Sequence, residues 1–520
     1  MNISPDKISS SQNSLQLNPK DNVAIAKTDL QPGNRLVYSQ AGEGSILVRQ
    51  LIPAGHKVAL KSLPCGEAVI RYGQVIGNAS REISAGEHVH THNVSPSRNE
   101  REFDFSVDAQ VVQILPKNEQ RTFMGFRRPD GRVGTRNYLA VIASVQCAAQ
   151  VVHRIARYFG PERLKDFPNV DGVIALTPAG GCGGRPDYDI LQQTLAGMAH
   201  HPNVGGAVMV GLGCEGNQVM DLTERHDLLR LEVIGQDDLL VIQALGGSEK
   251  TIQAGIQAVA ASLPRVNAAQ RQPQPLSQLT LALECGGSDS WSGITANPLV
   301  GFLSDEIVRQ GGTVVLAETP EIFGAEHLLT RRAIRPAVGE HLLAKLEWWQ
   351  DYVRRMDASF EDNPGPGNQA GGLTNICEKS LGAIAKSGST PLMAVYDYAQ
   401  LIREKGFVFM DTSGYDPVSV TGMVAGGCNL VLFTTGRGSV FGFKPAPSIK
   451  ISSNSSLYRR MTSDMDFNAG RILDENLGME VLAGELLDLV VSVAGGQPTK
   501  SDRLGLGELE FQPWSPIGPV

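Results

Sequence analysis

The chain has 520 residues, enough for two to four domains with sizeable cores, and 42% hydrophobic and 19% charged residues are ordinary values for a soluble globular protein. No apolar run reaches the roughly 18 residues that a membrane-spanning helix needs. A net charge of −8, with no Lys/Arg cluster, argues against nucleic-acid binding.

The cysteine pattern and the N-terminal segment indicate the cellular compartment. Seven cysteines, an odd number without a C-x-x-C pair, predict free thiols in a reducing environment, so we expect a cytoplasmic protein. Residues 1–21 are polar and rich in Ser and Asn, with no apolar stretch typical of a signal peptide. We predict a disordered tail over this segment.

Residues 22–94 are predicted to form a small β domain. Short apolar stretches alternate with glycines at positions 55, 66, 73, 77 and 86, a pattern typical of strands joined by tight turns. Polar and charged stretches between residues 95 and 122 predict a linker.

From residue 123 onward the sequence alternates between strand-like and helix-like segments. This pattern predicts α/β architecture with largely parallel sheets and crossover helices. The clearest predicted strands lie at 139–143, 172–176, 207–210, 279–283 and 313–317. The Pro/Gly-rich segment 363–368 predicts a boundary between a central α/β domain, 123–362, and a C-terminal α/β domain, 363–520.

Gly-rich loops with reactive side chains follow four of these predicted strands. In open α/β sheets ligands bind at the carboxyl ends of strands, and glycines let backbone N–H groups turn toward an anion. Six side chains are therefore expected to share one cleft: Cys182, Cys214, Glu215, Cys285, Asp289 and Glu318. The alternative is that each cysteine is a small buried apolar residue in a loop generic to the fold.

A second group of reactive side chains is the run His88-Val-His-Thr-His92. On a strand alternate residues face one way, so His88, His90 and His92 are expected to present three imidazoles together. Imidazole binds iron, manganese or zinc. The alternative is a polar strand face without a ligand. His56, in a Gly-His-Lys turn, is a further candidate.

With these motifs the sequence resembles the altronate/galactarate dehydratase family, from about residue 22 to the C-terminus. The matching stretches are Ile52-Pro-Ala-Gly-His-Lys-Val-Ala-Leu, Gly125-Phe-Arg-Arg-Pro-Asp-Gly-Arg-Val-Gly-Thr-Arg-Asn, Gly211-Leu-Gly-Cys-Glu, Glu284-Cys-Gly-Gly-Ser-Asp, Ser292-Gly-Ile-Thr-Ala-Asn-Pro, Asn363-Pro-Gly-Pro-Gly-Asn and Phe433-Thr-Thr-Gly-Arg-Gly. The N-terminal part resembles the SAF domain, a β-clip fold. The His-rich run and Glu318-Thr-Pro-Glu favour the altronate branch.

The resemblance implies dehydration of a hexonate, D-altronate, to 2-keto-3-deoxy-D-gluconate and water, with Fe²⁺ or Mn²⁺ as cofactor. The C2 proton beside a carboxylate is weakly acidic, so its removal needs a positioned base and a cation that holds the enediolate. Loss of the C3 hydroxyl then needs an acid. The expected partner is a small-molecule sugar acid, and we expect a homodimer.

We assign ten residues to this chemistry. The candidates for acid/base work are His56, Glu215 and Lys386. The candidates for metal binding are His88, His90 and Cys182. The candidates for substrate binding are Ser288, Asp289, Asn297 and Arg437. Arg437 is the expected carboxylate partner because a guanidinium pairs bidentately, and the alternative is a surface cation.

Three other functions stay open at this point. One is another substrate in the same family, such as galactarate. Another is an iron–sulfur hydro-lyase in which Cys182, Cys214 and Cys285 hold the cluster and one iron stays open for substrate. The last is a sugar-acid-binding module without catalytic activity.

Overall fold

The structure, a computed structural model, contains a small β domain followed by two α/β domains. The described residues are 9–10, 13–38, 44–96, 102–182, 187–229 and 234–516. Within these ranges no helix has the length and apolar character needed to cross a membrane.

The first domain is built from short antiparallel strands. They are β1 (Ser9–Ser10), β2 (Ser14–Gln16), β3 (Val23–Ala26), β4 (Arg35–Tyr38), β5 (Gly44–Leu47), β6 (Lys57–Ala59), β7 (Ala68–Arg71), β8 (Gln74–Ala79), β9 (His88–Val89) and β10 (Val94–Ser95). The sheet orders are β1-β2-β3-β6-β9, β10-β8-β7 and β4-β5. The predicted small β domain is confirmed.

The predicted tail over 1–21 is wrong from β2 onward. β2 pairs antiparallel with β3, and Leu15 and Leu17 are buried in the core. Their two-residue spacing places both side chains on the inner face of the sheet, although the surrounding sequence is polar. Residues 1–8 lie outside the described residues.

The second domain contains a parallel sheet of order β14-β13-β15-β16 and a small antiparallel sheet of order β12-β11-β17. Its strands are β11 (Thr122–Arg127), β12 (Val133–Gly134), β13 (Tyr138–Ala143), β14 (Gly172–Leu176), β15 (Val204–Gly211), β16 (Leu239–Val241) and β17 (Arg271–Pro275). Its helices are α1 (Ala149–Tyr158), α2 (Pro161–Leu164), α3 (Asp187–Ala199), α4 (Val219–Arg225), α5 (Ile242–Leu245) and α6 (Ser248–Asn267). Helices α1 and α6 cover one face of the parallel sheet, and α3 packs on the other.

The third domain is built on a seven-stranded, all-parallel sheet of order β20-β21-β19-β18-β22-β23-β24. Its strands are β18 (Thr280–Cys285), β19 (Thr313–Leu316), β20 (Leu392–Tyr396), β21 (Gly406–Met410), β22 (Leu430–Thr435), β23 (Ser448–Ser452) and β24 (Phe467–Asn468). Its helices are α7 (Ala296–Arg309), α8 (His327–Thr330), α9 (Pro336–Arg355), α10 (Pro366–Ala370), α11 (Ile376–Ala383), α12 (Asp416–Ala425), α13 (Ser455–Arg460), α14 (Arg471–Asp474), α15 (Met479–Ala494) and α16 (Lys500–Leu504). Helices α3 and α12 pack together between the two parallel sheets.

The predicted boundary at residue 363 is wrong, because it falls inside one sheet. Strands β18 and β19 precede it and β20 to β24 follow it. The Pro/Gly-rich segment belongs to a long crossover connection that carries α8 to α11. The boundary between the second and third domains lies instead between β17 and β18.

The β domain docks on the third domain through buried charges. Lys57 Nζ donates to Glu378 Oε1 at 2.8 Å and to the Gly372 carbonyl at 2.7 Å. Arg71 pairs with the same carboxylate and donates to the Ser290 carbonyl at 2.9 Å. Buried charges are tolerated when they are paired and hydrogen-bonded, so these contacts fix how the two domains meet.

Candidate active site

Three histidines of the β domain gather at its junction with the third domain. His56 Nδ1 and His88 Nε2 lie 3.0 Å apart, and the ring centroids of His56 and His90 are 4.8 Å apart. One ring nitrogen from each of the three lies within 4.8 Å of the others. The three imidazoles therefore offer a set of ligand atoms that one metal ion can reach.

A turn, rather than a strand, brings His90 to this cluster. Strand β9 ends at Val89, so the predicted alternation along residues 88–92 is wrong. The Asn93 side chain closes the turn: Oδ1 accepts from the His90 amide at 2.8 Å, and Nδ2 donates to the His88 carbonyl at 2.9 Å. The His88 and His90 rings consequently stack, with centroids 5.3 Å apart.

The protonation state of the cluster suits metal binding. Burial lowers the pKa of His56, and burial with the neighbouring cationic groups lowers the pKa of His88 to about 3 and of His90 to about 4. Neutral imidazole is the form that ligates a metal. Moreover, His90 Nδ1 is buried and has no hydrogen-bond partner among the described residues. The donor set fits divalent iron, manganese or zinc.

A cleft of about 350 Å³ opens beside the histidines, between the β domain and the carboxyl ends of β18, β22 and β23. His56 Nε2 lies 3.3 Å from the carbonyl oxygen of Ala370, which forms part of the cleft wall. Four cationic side chains line this space: Lys27, Arg437, Arg459 and Arg460. The carboxylates among the lining residues are those of Asp289 and Asp474. The excess of positive charge makes the cleft suited to an anionic ligand.

Asp289 organises the floor of this cleft. Its carboxylate accepts from the Ser292 amide at 2.8 Å, Ser453 Oγ at 2.9 Å and Asn454 Nδ2 at 3.1 Å, while burial raises its pKa. A Cβ atom on Gly436 would lie 2.1 Å from this carboxyl group. Position 436 therefore needs glycine, and the next residue, Arg437, is exposed at the cleft.

The other two predicted substrate-binding residues have different surroundings. Ser288 Oγ is buried with no hydrogen-bond partner among the described residues, next to Asp289 in the chain. Asn297 uses both ends of its amide inside the protein. Its Oδ1 accepts from Thr434 Oγ1 at 2.7 Å, and its Nδ2 donates to the Gly382 carbonyl at 3.0 Å. These bonds anchor α7 to the sheet.

Behind the cleft, ionisable groups are buried at the ends of β18 and β19. Lys386 Nζ donates to Glu318 Oε2 at 2.7 Å, and Lys379 Nζ donates to Glu321 Oε1 at 2.6 Å. Burial alone would lower the pKa of Lys386, but nearby acidic groups raise it, so the amine stays protonated. Glu318 has a left-handed backbone with φ 64°, a strained conformation for a non-glycine residue. The ion pairs and this backbone make Lys386 a structural cation rather than a free base.

The predicted single cleft divides between two sheets. Cys285, Glu318 and Asp289 belong to the seven-stranded sheet, whereas Cys182 and Cys214 follow strands of the four-stranded sheet and are exposed. Cys182 is not a member of the converging set of His56, His88 and His90, and it follows a strand of the other sheet, so the structure does not support its assignment to that metal.

Glu215 also lies on the four-stranded sheet. Its carboxylate accepts from Ser144 Oγ at 2.9 Å and from the backbone amides of Leu212 and Gly213 at 3.1 and 2.5 Å. These bonds hold the loop after β15 in shape. They place Glu215 in a different domain from the imidazoles that it was expected to assist.

Sequence reasoning missed several residues of the site. The cations Lys27, Arg459 and Arg460 come from a loop and from the end of α13, where no motif marked them. Lys57 lies next to His56 in the same matching stretch, and a basic residue inside a predicted strand was the signal that could have identified it. The acid that pairs with it, Glu378, lies 321 positions away, and no local pattern links the two.

Comparison with known proteins agrees with this domain order. Three family descriptions match: "Altronate/galactarate dehydratase SAF domain" over residues 12–97, "D-galactarate dehydratase/Altronate hydrolase, second domain" over 125–267, and "D-galactarate/Altronate dehydratase, C-terminal" over 276–518. The matched segments change between 267 and 276, where the structure passes from β17 to β18, and not at 363.

Similarity to characterised relatives extends over nearly the whole chain. The altronate dehydratase of Bacillus subtilis (strain 168) is 34% identical over 95% of this chain and 97% of its own. The galactarate dehydratase (L-threo-forming) of Escherichia coli (strain K12) is 36% identical over 95% of both chains. The (2R)-sulfolactate sulfo-lyase subunit beta of Chromohalobacter salexigens is 31% identical over 74% of this chain and 95% of its own. The chain belongs to the altronate/galactarate dehydratase family.

Proposed function

We propose that this protein is a metal-dependent sugar-acid dehydratase that converts the hexonate D-altronate to 2-keto-3-deoxy-D-gluconate and water. The observation that carries the proposal is the convergence of three imidazoles beside a cationic cleft, with His56 Nε2 lying 3.3 Å from the Ala370 carbonyl of the cleft wall. The substrate class comes from the names of the relatives, one of which is an altronate dehydratase.

Residues His56, His88 and His90 would hold the divalent ion, Fe²⁺ or Mn²⁺. Bound there, the ion would supply Lewis-acid stabilisation of the negative charge that develops on the substrate as a base removes the C2 proton. His56 thus changes from a predicted acid/base group to a ligand. Its Nδ1 faces His88, and its Nε2 faces the Ala370 carbonyl, so both nitrogens have fixed neighbours.

The cleft residues would orient the sugar acid. Arg437 is exposed at the cleft and pairs with the C1 carboxylate, which sets the adjacent C2–H toward the imidazoles. Asp289 Oδ2 accepts from Asn454 and has capacity for a substrate hydroxyl. The floor is held by hydrogen bonds before the substrate arrives, so little reorganisation is needed on binding.

A second substrate, galactarate, is favoured by the number of cations in the cleft. An aldarate carries a carboxylate at each end, and Lys27, Arg459 and Arg460 remain for the second one after Arg437 has taken the first. The 36% identity to a galactarate dehydratase is as high as that to the altronate enzyme. The similarity to these relatives therefore does not decide between the two substrates, and a direct assay is needed.

The test is a substrate panel with full-length protein, purified without oxygen and loaded with Fe²⁺ or Mn²⁺. D-altronate, other hexonates, galactarate and (2R)-sulfolactate are assayed for keto-acid product. We expect the largest kcat/KM with D-altronate, and His88→Ala should abolish turnover while His341→Ala, an exposed histidine on α9, should not. Binding of these acids without product would contradict the proposal and indicate a non-catalytic module.

Compartment and assembly remain predictions. The prediction of a reducing cytoplasm rests on the odd number of cysteines without a C-x-x-C pair. We expect a homodimer in solution, which light scattering coupled to size-exclusion chromatography measures.

A further inference from the structure

Three exposed cysteines follow three adjacent strands of the four-stranded sheet. Cys147 comes after β13, Cys182 after β14 and Cys214 after β15, and the strand order is β14-β13-β15. Cysteine is among the most buried residue types, and in this chain Cys285 and Cys428 are buried. Three exposed thiols at one edge of a sheet therefore need an explanation.

The loops that carry these cysteines are bonded to one another. The Gln146 amide donates to the Gly180 carbonyl at 2.9 Å, and the Asn217 amide donates to the Gly181 carbonyl at 3.2 Å. Asn217 Nδ2 donates to the Ser144 carbonyl at 2.8 Å. A Cβ on Gly181, whose φ is 103°, would lie 2.5 Å from that same carbonyl oxygen. Each of these residues is one to three positions from a cysteine, so the three loops that carry the thiols are held side by side.

Two further features point to a ligand at this edge. Asn217 is fully buried, yet its Oδ1 has no hydrogen-bond partner among the described residues. Helices α1 and α3 begin shortly after Cys147 and Cys182, so backbone N–H groups without intrahelical partners lie near these loops in the chain. The parallel sheet thus presents three thiols at the edge where α/β proteins bind ligands.

We propose that Cys147, Cys182 and Cys214 hold an iron–sulfur cluster with three protein thiolates and one iron without a protein ligand. Soft thiolates select zinc, copper(I) or iron–sulfur clusters. The site goes beyond the proposed function, because the imidazoles belong to a different domain. Its ligand set replaces the predicted one of Cys182, Cys214 and Cys285, since Cys285 is buried on the other sheet between Glu318 and Glu321.

The spacing of the thiols favours a cluster over a single ion. A tetrahedral zinc ion with Zn–S bonds of about 2.3 Å brings its sulfur ligands to about 3.8 Å from one another. Among the described residues, the groups whose ligand atoms lie within 4.8 Å are the three imidazoles and the set of Cys285, Glu318 and Glu321. The three exposed thiols do not form such a set, which disfavours one ion bound by all three, whereas the iron and sulfide ions of a cluster extend the reach between thiolates.

The test is anaerobic purification of the full chain, followed by reconstitution with ferrous iron and sulfide. We expect broad visible absorbance with iron and acid-labile sulfide in equal amounts. Cys147→Ser, Cys182→Ser and Cys214→Ser should each lower both contents at least fivefold. Cys65→Ser, an exposed thiol of the β domain, is the matched control and should leave them unchanged. His88→Ala should also retain the cluster, which separates this site from the imidazole site.

A second measurement serves if a cysteine variant does not fold. Thiol alkylation of the wild-type protein, mapped by mass spectrometry, should label Cys65 throughout but label Cys147, Cys182 and Cys214 only after the iron is removed. Equal labelling before and after removal would overturn the proposal. So would bound zinc without acid-labile sulfide, or a cluster that persists in the Cys147→Ser variant.

Discussion

Single residues at the site are oriented by neighbouring side chains that cannot be predicted from the local sequence. Asp289 approaches the chain at Gly436 so closely that position 436 has no room for a side chain, and this contact places Arg437 at the cleft mouth. The Asn93 amide does the same for His90 by closing the turn that carries it. The orientation of both functional side chains thus depends on one hydrogen-bonding or packing partner each.

Arg437 provides the residue-scale test of substrate placement. A charge-assisted hydrogen bond contributes about 1.5–3 kcal/mol, so Arg437→Ala should lower kcat/KM by roughly one to two orders of magnitude. Arg437→Lys should recover part of this loss, because a point charge lacks the planar fork. The melting temperature should stay unchanged because the side chain is exposed. Arg163→Ala, at an exposed arginine of the second domain, is the control, and wild-type kinetics in Arg437→Ala would place the carboxylate elsewhere.

His90 provides the residue-scale test of the metal site. Its Nδ1 is buried without a partner, so its removal takes away a ligand without breaking a hydrogen bond of that atom. We expect His90→Ala to weaken Mn²⁺ binding at least about 100-fold. Loss of a residue that only supports a metal ligand lowers affinity by about 10- to 100-fold, and loss of a ligand should cost at least as much. Mn²⁺ titration followed by electron paramagnetic resonance measures this. His92→Ala, outside the converging set, should bind Mn²⁺ as the wild type does.

At the scale of elements, buried parallel strands were predicted well because they are continuous apolar runs followed by glycines. The segments at 139–143 and 172–176 correspond to β13 and β14 almost residue for residue. The rule that ligands gather at strand ends also found Cys182 and Cys214. The same rule, extended to the loop after β13, points to Cys147.

The errors came from contacts that are distant in sequence. Residues 363–368 have the composition of a linker, but Asn363 Nδ2 donates to Glu321 Oε1 at 2.9 Å and Asn368 Nδ2 donates to the Ser288 carbonyl at 2.7 Å. These bonds pack the segment against the loops that follow β18 and β19. The local sequence pattern likewise does not determine to which of the two parallel sheets a strand-end loop belongs. The six side chains expected in one cleft are therefore divided between the two sheets.

Helix α11 docks the β domain through Glu378, and this contact predicts a pH dependence. Burial would raise the pKa of Glu378, but Lys57 and Arg71 hold it at about 2, below its ordinary 4.5. Because the folded-state pKa is depressed, the stabilisation is fully present above pH 4.5 and is lost as pH falls toward 2. Glu378→Gln should flatten this fall in the free energy of unfolding.

The same variant should be less stable at neutral pH. Removal of one member of a buried ion pair costs about 3–5 kcal/mol, because the buried Lys57 and Arg71 lose their counter-ion. Urea unfolding at a series of pH values measures both effects. Glu67→Gln, which breaks the exposed pair with Lys61, is the control and should change stability by less than about 1 kcal/mol. An identical pH profile for Glu378→Gln and the wild type would contradict the role of this contact.

The whole molecule places its two candidate metal sites on different bodies. The imidazoles and the cationic cleft lie where the β domain meets the seven-stranded sheet, and the three exposed thiols lie at the edge of the four-stranded sheet. Helices α3 and α12 pack between the sheets and join the two halves. We propose dehydration at the first site, because three ligand nitrogens lie beside a cationic cleft there.

The most direct test of this assignment is turnover of D-altronate by metal-free protein after addition of Mn²⁺. Chelated wild-type protein should be inactive and should regain activity with Mn²⁺, because the enediolate needs a Lewis acid. His90→Ala should stay inactive at Mn²⁺ concentrations that restore the wild type, and should keep the wild-type melting temperature. Full activity in metal-free protein, or equal reactivation of His90→Ala, would contradict the account.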